Sequence, residues 1–395
     1  MDLSPDTDAE TFRVEVTDFL DRHWTSLPIE AKRSAEKIAA FRRQAIDAGY
    51  LYRGVPRRFG GGEQPADVVR AEIIRSAFAR TRAPQEVPGV GTAMLVPTLL
   101  DCGAAWQHEQ FIRPTIEGHI TWAQGYSEPD SGSDLASVKT RGTLIDRFWH
   151  IDGQKLWTTF GDRCDYMFAL VRTEPDMPKH DGLSYLLIDL KQPGVTIRPL
   201  RQMTGASNFS EVFLDDVRTP ADWIVGKRGE GWRVSRTTLG HERASIGSAD
   251  RTAATFSKLL ALARDTERFG APAIQDREIR QRLATIEGWI MAQHYTALNQ
   301  FSLAAAKRDA GPSRLMNKLL ATDIGHDIAS IAQELIGEAA LYAPGVPGDK
   351  NRGNQRWLDQ IFGSLGVAIA GGTSNIQRNI IAERGLGLPR ADDSD

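Results

Sequence analysis

Residues 148–159 read "FWHIDGQKLWTT", and they decide the fold. Aromatic and β-branched residues alternate with polar ones, and Asp152-Gly153 lies between two strand-like halves, a dipeptide that closes short hairpins. The segment predicts β structure with a turn at Asp152-Gly153. Short runs of the same kind follow: "YMFALVRT" (166–173), "GLSYLLIDL" (182–190), "VTIRPL" (195–200) and "SEVFLDDV" (210–217), separated by Gly, Pro and Asp. Residues 121–230 are therefore expected to form a small antiparallel β domain.

On either side the apolar period lengthens to that of a helix. Upstream, Phe12, Val16, Phe19 and Leu20 recur at helical spacing, as do Ile38, Phe41 and Ala45, and then Val69, Ile73 and Ala77. Gly49 is placed to end the second of these helices. Downstream of Gly231, Ile279, Leu283, Ile286, Ile290, Ala297 and Phe301 mark one long helix. Leu320, Ile324, Ile328 and Ile331 mark a second, and Trp357, Ile361 and Leu365 open a third. The chain reads as α+β and multidomain: a helical domain over 1–120, the β domain over 121–230, and a helical bundle over 231–395.

Bulk properties narrow the function. The 395 residues are enough for two or three domains, and 41% hydrophobic with 25% charged residues is the balance of a soluble globular chain. A net charge of -3 argues against nucleic acid or an anionic membrane as the main partner. The first residues are acidic and polar, unlike a targeting signal, and no apolar run is long enough to span a bilayer, so a cytoplasmic protein is expected. Cys102 and Cys164 have no metal-ligand spacing; free thiols and no metal site are expected.

Three stretches carry possible chemistry. "YSEPDSGSD" (126–134) is rich in small hydroxyl residues, with Gly and Pro. It is either an ordinary turn or a rigid cradle for a flat heteroaromatic ring or an anion. In "KLWTTFG" (155–161), Trp157 either packs in the β core or stacks on a planar cofactor whose edge the threonines bind. "IAGGTSNIQRN" (369–379) offers a Gly-Gly-Thr break suited to close approach by a ligand, but no acid, base or nucleophile.

Taken together, and in this order, "PRRFGGGEQP", "GYSEPDSGSDLASVKT", "DGQKLWTTFG", "VTIRPLRQMTG", "EVFLDDVRTP", "GKRGEGW", "LGHER" and "AGGTSNIQRNIIAERGLGLPR" resemble the acyl-CoA dehydrogenase family. The resemblance covers about residues 10 to 390. The C-terminal segment and the insert "NRGNQRW" are most similar to the bacterial branch, some of whose members act on steroid side-chain CoA esters. The resemblance implies an FAD enzyme that converts an acyl-CoA, here a bulky, branched or steroid side-chain one, to a trans-2-enoyl-CoA. It also implies that electrons leave to an electron-transfer flavoprotein. Carried onto this sequence, it places Tyr126, Ser127 and Ser133 over the flavin ring and edge, with Gly132 permitting close backbone approach. Trp157 and Thr159 lie on the other side of the ring. Thr373 falls near the flavin phosphates, and Gln333 and Gly337 remain from the family's Gln-x-x-Gly-Gly. Ser133 and Arg243 are the expected substrate contacts.

The α-proton needs a base. Many relatives place a glutamate just before the Gly-Thr of the C-terminal motif, and that position is Gly371. Another branch carries the base on the helix that opens the C-terminal domain, immediately before an arginine. The match here is Glu242-Arg243 in "LGHERASIG". Leu239 and Ile246 share a helix face with Glu242. A carboxylate on that apolar stripe is expected to titrate above about 4.3, nearer the range useful to a general base. The competing reading pairs Glu242 with an arginine at an interface, and His241 is expected at the pocket edge. The resemblance also implies a backbone N–H that holds the thioester oxygen, here that of Gly371.

Three positions depart from the family pattern. Thr266 stands where an arginine usually precedes the Phe-Gly (Phe269-Gly270), with Arg264 and Arg268 beside it. Gln333 to Gly337 keeps only the outer two residues of its motif, and Asn375 replaces a longer Glu or Gln. All three touch the part of the flavin that reaches across subunits. The expected assembly is a homotetramer, or a heterotetramer in which a related subunit completes the FAD site. Other readings are a non-catalytic subunit and a flavin oxidase or monooxygenase on the same fold.

Overall fold

A computed structural model describes residues 7–245, 249–338 and 355–389; the side chains of residues 242–245 and 355 lie outside what it describes. The chain divides into two units, residues 1–198 with 210–241, and residues 199–209 with 242–395.

The first unit opens with α1 (Thr7–Leu20), α2 (Ile29–Arg33), α3 (Ala35–Asp47), α4 (Val68–Thr81), α5 (Val96–Cys102), α6 (Ala105–Gln107) and α7 (Arg113–Ile116). The apolar stripes bury as expected: Phe12, Val16, Phe19, Leu20, Phe41, Ala45, Ile73 and Ala77 join one core. The Ser34 hydroxyl accepts from the Lys37 N–H at the start of α3, and the Asp67 carboxylate accepts from the Arg70 N–H at the start of α4. Each satisfies a donor that has no partner inside the helix.

The sheet has seven strands: β1 (Trp122–Gly125), β2 (Arg141–Ile145), β3 (Phe148–Thr159), β4 (Tyr166–Arg172), β5 (Leu183–Asp189), β6 (Val195–Leu200) and β7 (Phe209–Pro220). Their order is β1-β4-β2-β3-β7-β6, with β5 also on β4. Two expectations need correction. Asp152-Gly153 is not a turn, because β3 runs straight through it. The hairpin is β2–β3, with Ile145 opposite Phe148 and Asp146-Arg147 at the bend, Asp146 taking φ +54°. Gly153 instead marks where β3 crosses Thr140: a Cβ there would lie 2.5 Å from the Thr140 Oγ1 and 2.7 Å from its Cα. Nor is the sheet purely antiparallel. β4 is antiparallel to β5 but parallel to β1 and to β2. A strand paired on both edges and buried on both faces reads as a continuous apolar run, and Met167 to Val171 are all fully buried. The last helix of this unit, α8 (Gly231–Ser245), runs on across the boundary.

The second unit contains α9 (Ala249–Asp265), a two-stranded ribbon of β8 (Glu267–Arg268) and β9 (Ala271–Pro272), α10 (Arg277–Ala305), α11 (Ser313–Ile336), α12 (Gln355–Ile369) and α13 (Ser374–Ile380). Ile279, Leu283, Ile286 and Ile290 of α10 bury against Ile324, Ile328 and Ile331 of α11 and Trp357 of α12. Ala297 is exposed, so α10 outruns the core that its first half helps to build. Among the described residues, no helix is long and apolar enough to cross a membrane, and no His, Cys, Asp and Glu cluster could hold a metal. Cys102 and Cys164 are free, and burial pushes the Cys164 thiol up to about 11, which keeps it protonated and inert.

Candidate functional site

Two of the three chemistry-bearing stretches meet in the first unit. The Leu156 N–H donates to the Ser127 carbonyl at 2.9 Å, tying the 126–134 loop to β3 one residue before Trp157. Along β3, Trp149, Ile151 and Lys155 face inward on odd numbers, and then the pattern breaks: Trp157 is 56% exposed and Thr158 is buried. The cause is local. Trp157 has φ +60°, a conformation uncommon for a bulky residue, and it shifts the alternation by one place. The inversion turns the indole outward beside the loop, with Thr159 half-buried two residues on.

The loop is anchored from beneath. Glu128 and Ser131 exchange backbone hydrogen bonds, Glu128 N–H to Ser131 O at 2.9 Å and Ser131 N–H to Glu128 O at 3.1 Å. The Glu128 carboxylate accepts from the backbone N–H groups of Lys139 (2.5 Å) and Thr140 (3.0 Å) and from Lys155 Nζ (2.8 Å). Lys155 is fully buried and also donates to the Leu170 carbonyl at 2.7 Å. Burial pushes the Glu128 carboxyl up, but the Lys155 charge and the hydrogen bonds outweigh it and hold the group below its ordinary value. This ion pair escapes sequence reading, because neither residue is unusual in its own segment. The one available signal is that Lys155 shares strand parity with Trp149 and Ile151.

Of the expected ring contacts, Tyr126 is a core residue. Its ring meets those of Phe168 and Tyr185 edge-on at 6.0 and 6.2 Å, so its main chain is what it can offer a ligand. Gly132 and Ser133 are exposed, and a Cβ on Gly132 would meet nothing within 4 Å. An outward indole, a half-buried threonine hydroxyl and an anchored loop with open space at its glycine fit a planar ring with a polar edge, such as a flavin.

The third stretch lies in the second unit. Gly371 and Gly372 take φ +61° and +88°, and Thr373 caps α13 by accepting from the Ile376 N–H at 3.2 Å. Gln377 Nε2 donates to the Gly371 carbonyl at 3.0 Å, and Lys318 Nζ to the Gly372 carbonyl at 2.8 Å. Gln333 is exposed near the end of α11, and Gly337, at φ +54°, terminates that helix. Thr266 ends α9, its carbonyl accepting from the Ala273 N–H at 2.8 Å. Arg268 is held between Glu334 and Asp276 rather than presented as a free cation. Phe269 stands 87% exposed at the tip of the β8–β9 ribbon.

Glu242 and Arg243 lie on the described backbone of α8, but their side chains, and all of Ile246, fall outside the described residues. One turn earlier, Thr238 is buried. It receives a hydrogen bond from the Thr98 hydroxyl (3.0 Å) and lies 3.3 Å from the Tyr185 hydroxyl, which fixes the helix over the first unit. His241 sits 3.3 Å from Asp101 at the surface.

Models of three domains of the acyl-CoA dehydrogenase family match this chain: the N-terminal domain over residues 6–119, the middle domain over 123–217 and the C-terminal domain over 229–386. The chain is 36% identical over 394 residues to acyl-CoA dehydrogenase IpdE1 of Mycobacterium tuberculosis, covering 97% of this chain and 98% of that one. IpdE1 of Mycolicibacterium smegmatis is 36% identical over 367 residues, 90% of this chain and 89% of its own. Among solved structures, a chain of the ChsE4-ChsE5 complex from Mycobacterium tuberculosis is similar at TM-score 0.75 and 27% identity, covering 99% of this chain and 100% of that one. A chain of the Tcur3481-Tcur3483 steroid acyl-CoA dehydrogenase is similar at TM-score 0.76 and 25% identity, with 99% and 100% covered.

Proposed function

The chain belongs to the acyl-CoA dehydrogenase family, FAD-dependent oxidoreductases acting on CH–CH bonds, and on that footing we propose how its residues divide the reaction. An acyl-CoA loses a proton from its α-carbon and a hydride from its β-carbon, and becomes the trans-2-enoyl-CoA. FAD, when bound, supplies the hydride acceptor at its N5. Glu242 takes the α-proton. The Gly371 N–H holds the thioester oxygen, so that charge building there is met by a donor already in place. Trp157, Thr159 and the 126–134 loop seat the ring, Thr373, Gln333 and Gly337 lie along the rest of the cofactor, and Ser133 and Arg243 contact substrate.

One observation carries the assignment of the base. The position that holds the glutamate in many relatives is Gly371, at φ +61°, while Glu242-Arg243 occurs on α8 in the other known arrangement. A glycine there supplies a backbone donor but no proton acceptor. The substrate is read as a bulky, branched or steroid side-chain acyl-CoA, supported by the likeness to a steroid acyl-CoA dehydrogenase. Electrons pass to an electron-transfer flavoprotein. Glu242→Gln should lower ferricenium-linked turnover by at least about 100-fold while bound flavin stays unchanged. Retained turnover would move the base elsewhere. A panel of short, long, branched and steroid acyl-CoAs ranks the substrates.

A heteromeric assembly is the second reading, favoured by Thr266 at the arginine position and by the engagement of Arg268 with Glu334. The similar ChsE4-ChsE5 structure is a two-protein complex. Expression of this chain alone, followed by flavin content and native mass, decides: full flavin occupancy in a homo-oligomer sinks this reading.

A further inference from the structure

The glycine break is held by two side chains to which the reaction gives no part. Lys318, on α11, and Gln377, on α13, are 5% and 3% exposed. Their nitrogens take the two consecutive carbonyls of the break, Lys318 Nζ that of Gly372 at 2.8 Å and Gln377 Nε2 that of Gly371 at 3.0 Å. The fit around Gln377 is close: a Cβ on Gly372 would lie 2.7 Å from Gln377 Nε2.

Two adjacent glycines at positive φ are the least self-ordering stretch a chain can have. Peptide planarity converts the two bonds into orientation. Fixing the Gly371 carbonyl sends the Gly372 N–H the opposite way, and fixing the Gly372 carbonyl does the same for the Thr373 N–H. Among the described residues, no acceptor takes the N–H groups of Gly371, Gly372 or Thr373. The carbonyl side of the break is committed, and the amide side is left for something else. Burial disfavours the Lys318 charge, so a lysine with a carbonyl as its only described hydrogen-bond partner is retained against its own desolvation.

We propose that Lys318 and Gln377 are positioning residues that together fix the peptide planes that follow Gly371 and Gly372, so that the Gly372 and Thr373 N–H groups stay turned away from the brace and the backbone beside the Gly371 N–H, which meets the thioester oxygen, cannot swing. The inference rests on the dehydrogenation reading for what those N–H groups meet, but the brace itself is testable without it. In the full-length flavoprotein, Lys318→Met keeps the apolar stem and removes the donor, Lys318→Arg restores a donor, and Gln377→Leu removes the second bond. Hydrogen exchange over a peptide spanning residues 366–380 should quicken by about tenfold or more in Lys318→Met and Gln377→Leu, and in Lys318→Arg by less. With an acyl-CoA that reduces the wild-type flavin, kcat should fall roughly 100-fold in Lys318→Met. KM should hold within about threefold, with partial recovery in Lys318→Arg.

Exchange unchanged in both Lys318→Met and Gln377→Leu overturns the brace. Faster exchange with kcat untouched, or a loss confined to KM, overturns its aim at the reacting group. If Lys318→Met does not fold, Gln377→Leu decides alone. If no acyl-CoA reduces the wild-type flavin, the dehydrogenation reading fails, and the exchange arm still judges the brace.

Discussion

Replacing Lys155 with methionine tests whether the loop that seats the flavin is held by a single buried ion pair. Lys155 Nζ satisfies the Glu128 carboxylate and the Leu170 carbonyl, and none of its side chain reaches solvent. Methionine fills the space but leaves a carboxylate that is only 7% exposed without its counter-charge. Breaking a buried pair by removing one partner costs about 3–5 kcal/mol. Two backbone N–H groups, from Lys139 and Thr140, remain on Glu128, which places the loss near the lower end, about 3 kcal/mol. Neutralising the orphan should recover part of that, less the bond lost where an amide nitrogen replaces an oxygen that accepts a backbone N–H, so Lys155→Met with Glu128→Gln should be about 1 kcal/mol more stable than the single mutant. Urea unfolding followed by tryptophan fluorescence, with flavin retention read on the same samples, gives both numbers. A single mutant within about 1 kcal/mol of wild type, or a double mutant no better than the single, would refute the reasoning.

The other predictions concern the same sheet. Thr158 is fully buried and its hydroxyl has no hydrogen-bond partner among the described residues, so Thr158→Val should leave stability unchanged or raise it by about 1 kcal/mol; a loss of that size would show that the hydroxyl is bonded after all. Gly153→Ala drives a methyl into the Thr140 backbone at φ +152° and should cost about 2–4 kcal/mol in urea unfolding, whereas a turn glycine at an open bend would tolerate it. The Glu128 carboxyl titrates below its ordinary value of 4.5 in the folded chain. Its contribution is therefore whole above that pH and is lost as pH falls through the folded value. The stability gap between wild type and Glu128→Gln should hold from pH 7 to about 5 and shrink further into acid; a gap that stays constant below pH 4.5 contradicts the assignment.

How much of this was legible in the sequence depends on how far each feature reaches along the chain. Helices are legible because their stripes are local: Phe12 to Leu20, and Ile279 to Ile290, bury where their spacing says. The apolar run at 166–173 reads as a strand, but its parallel partners do not show in it, since β1 and β2 lie far back in the chain and leave no mark on β4 itself. Asp152-Gly153 misled because a glycine needed for a close crossing looks the same as one needed for a turn. At the site, Trp157 stood out by type, but only the backbone shows the left-handed step that turns it outward. Lys155, Glu128, Lys318 and Gln377 leave no signal of their pairing in the sequence for one reason. A buried polar residue is recognised by its partner, and each partner lies on another element.

The place of β4 also sets an order in time. Thr121 and Asp165, 44 residues apart, are joined by a hydrogen bond where β1 meets β4, and β5 follows β4 in the chain. On the ribosome, β1, β2 and β3 emerge with no central strand to join, and Ala123, which packs with Met167 and Ala169, waits uncovered until β4 follows. Synthesis halted near residue 160 should therefore leave a nascent chain that recruits chaperones, while one halted beyond residue 220 should resist protease across the whole sheet.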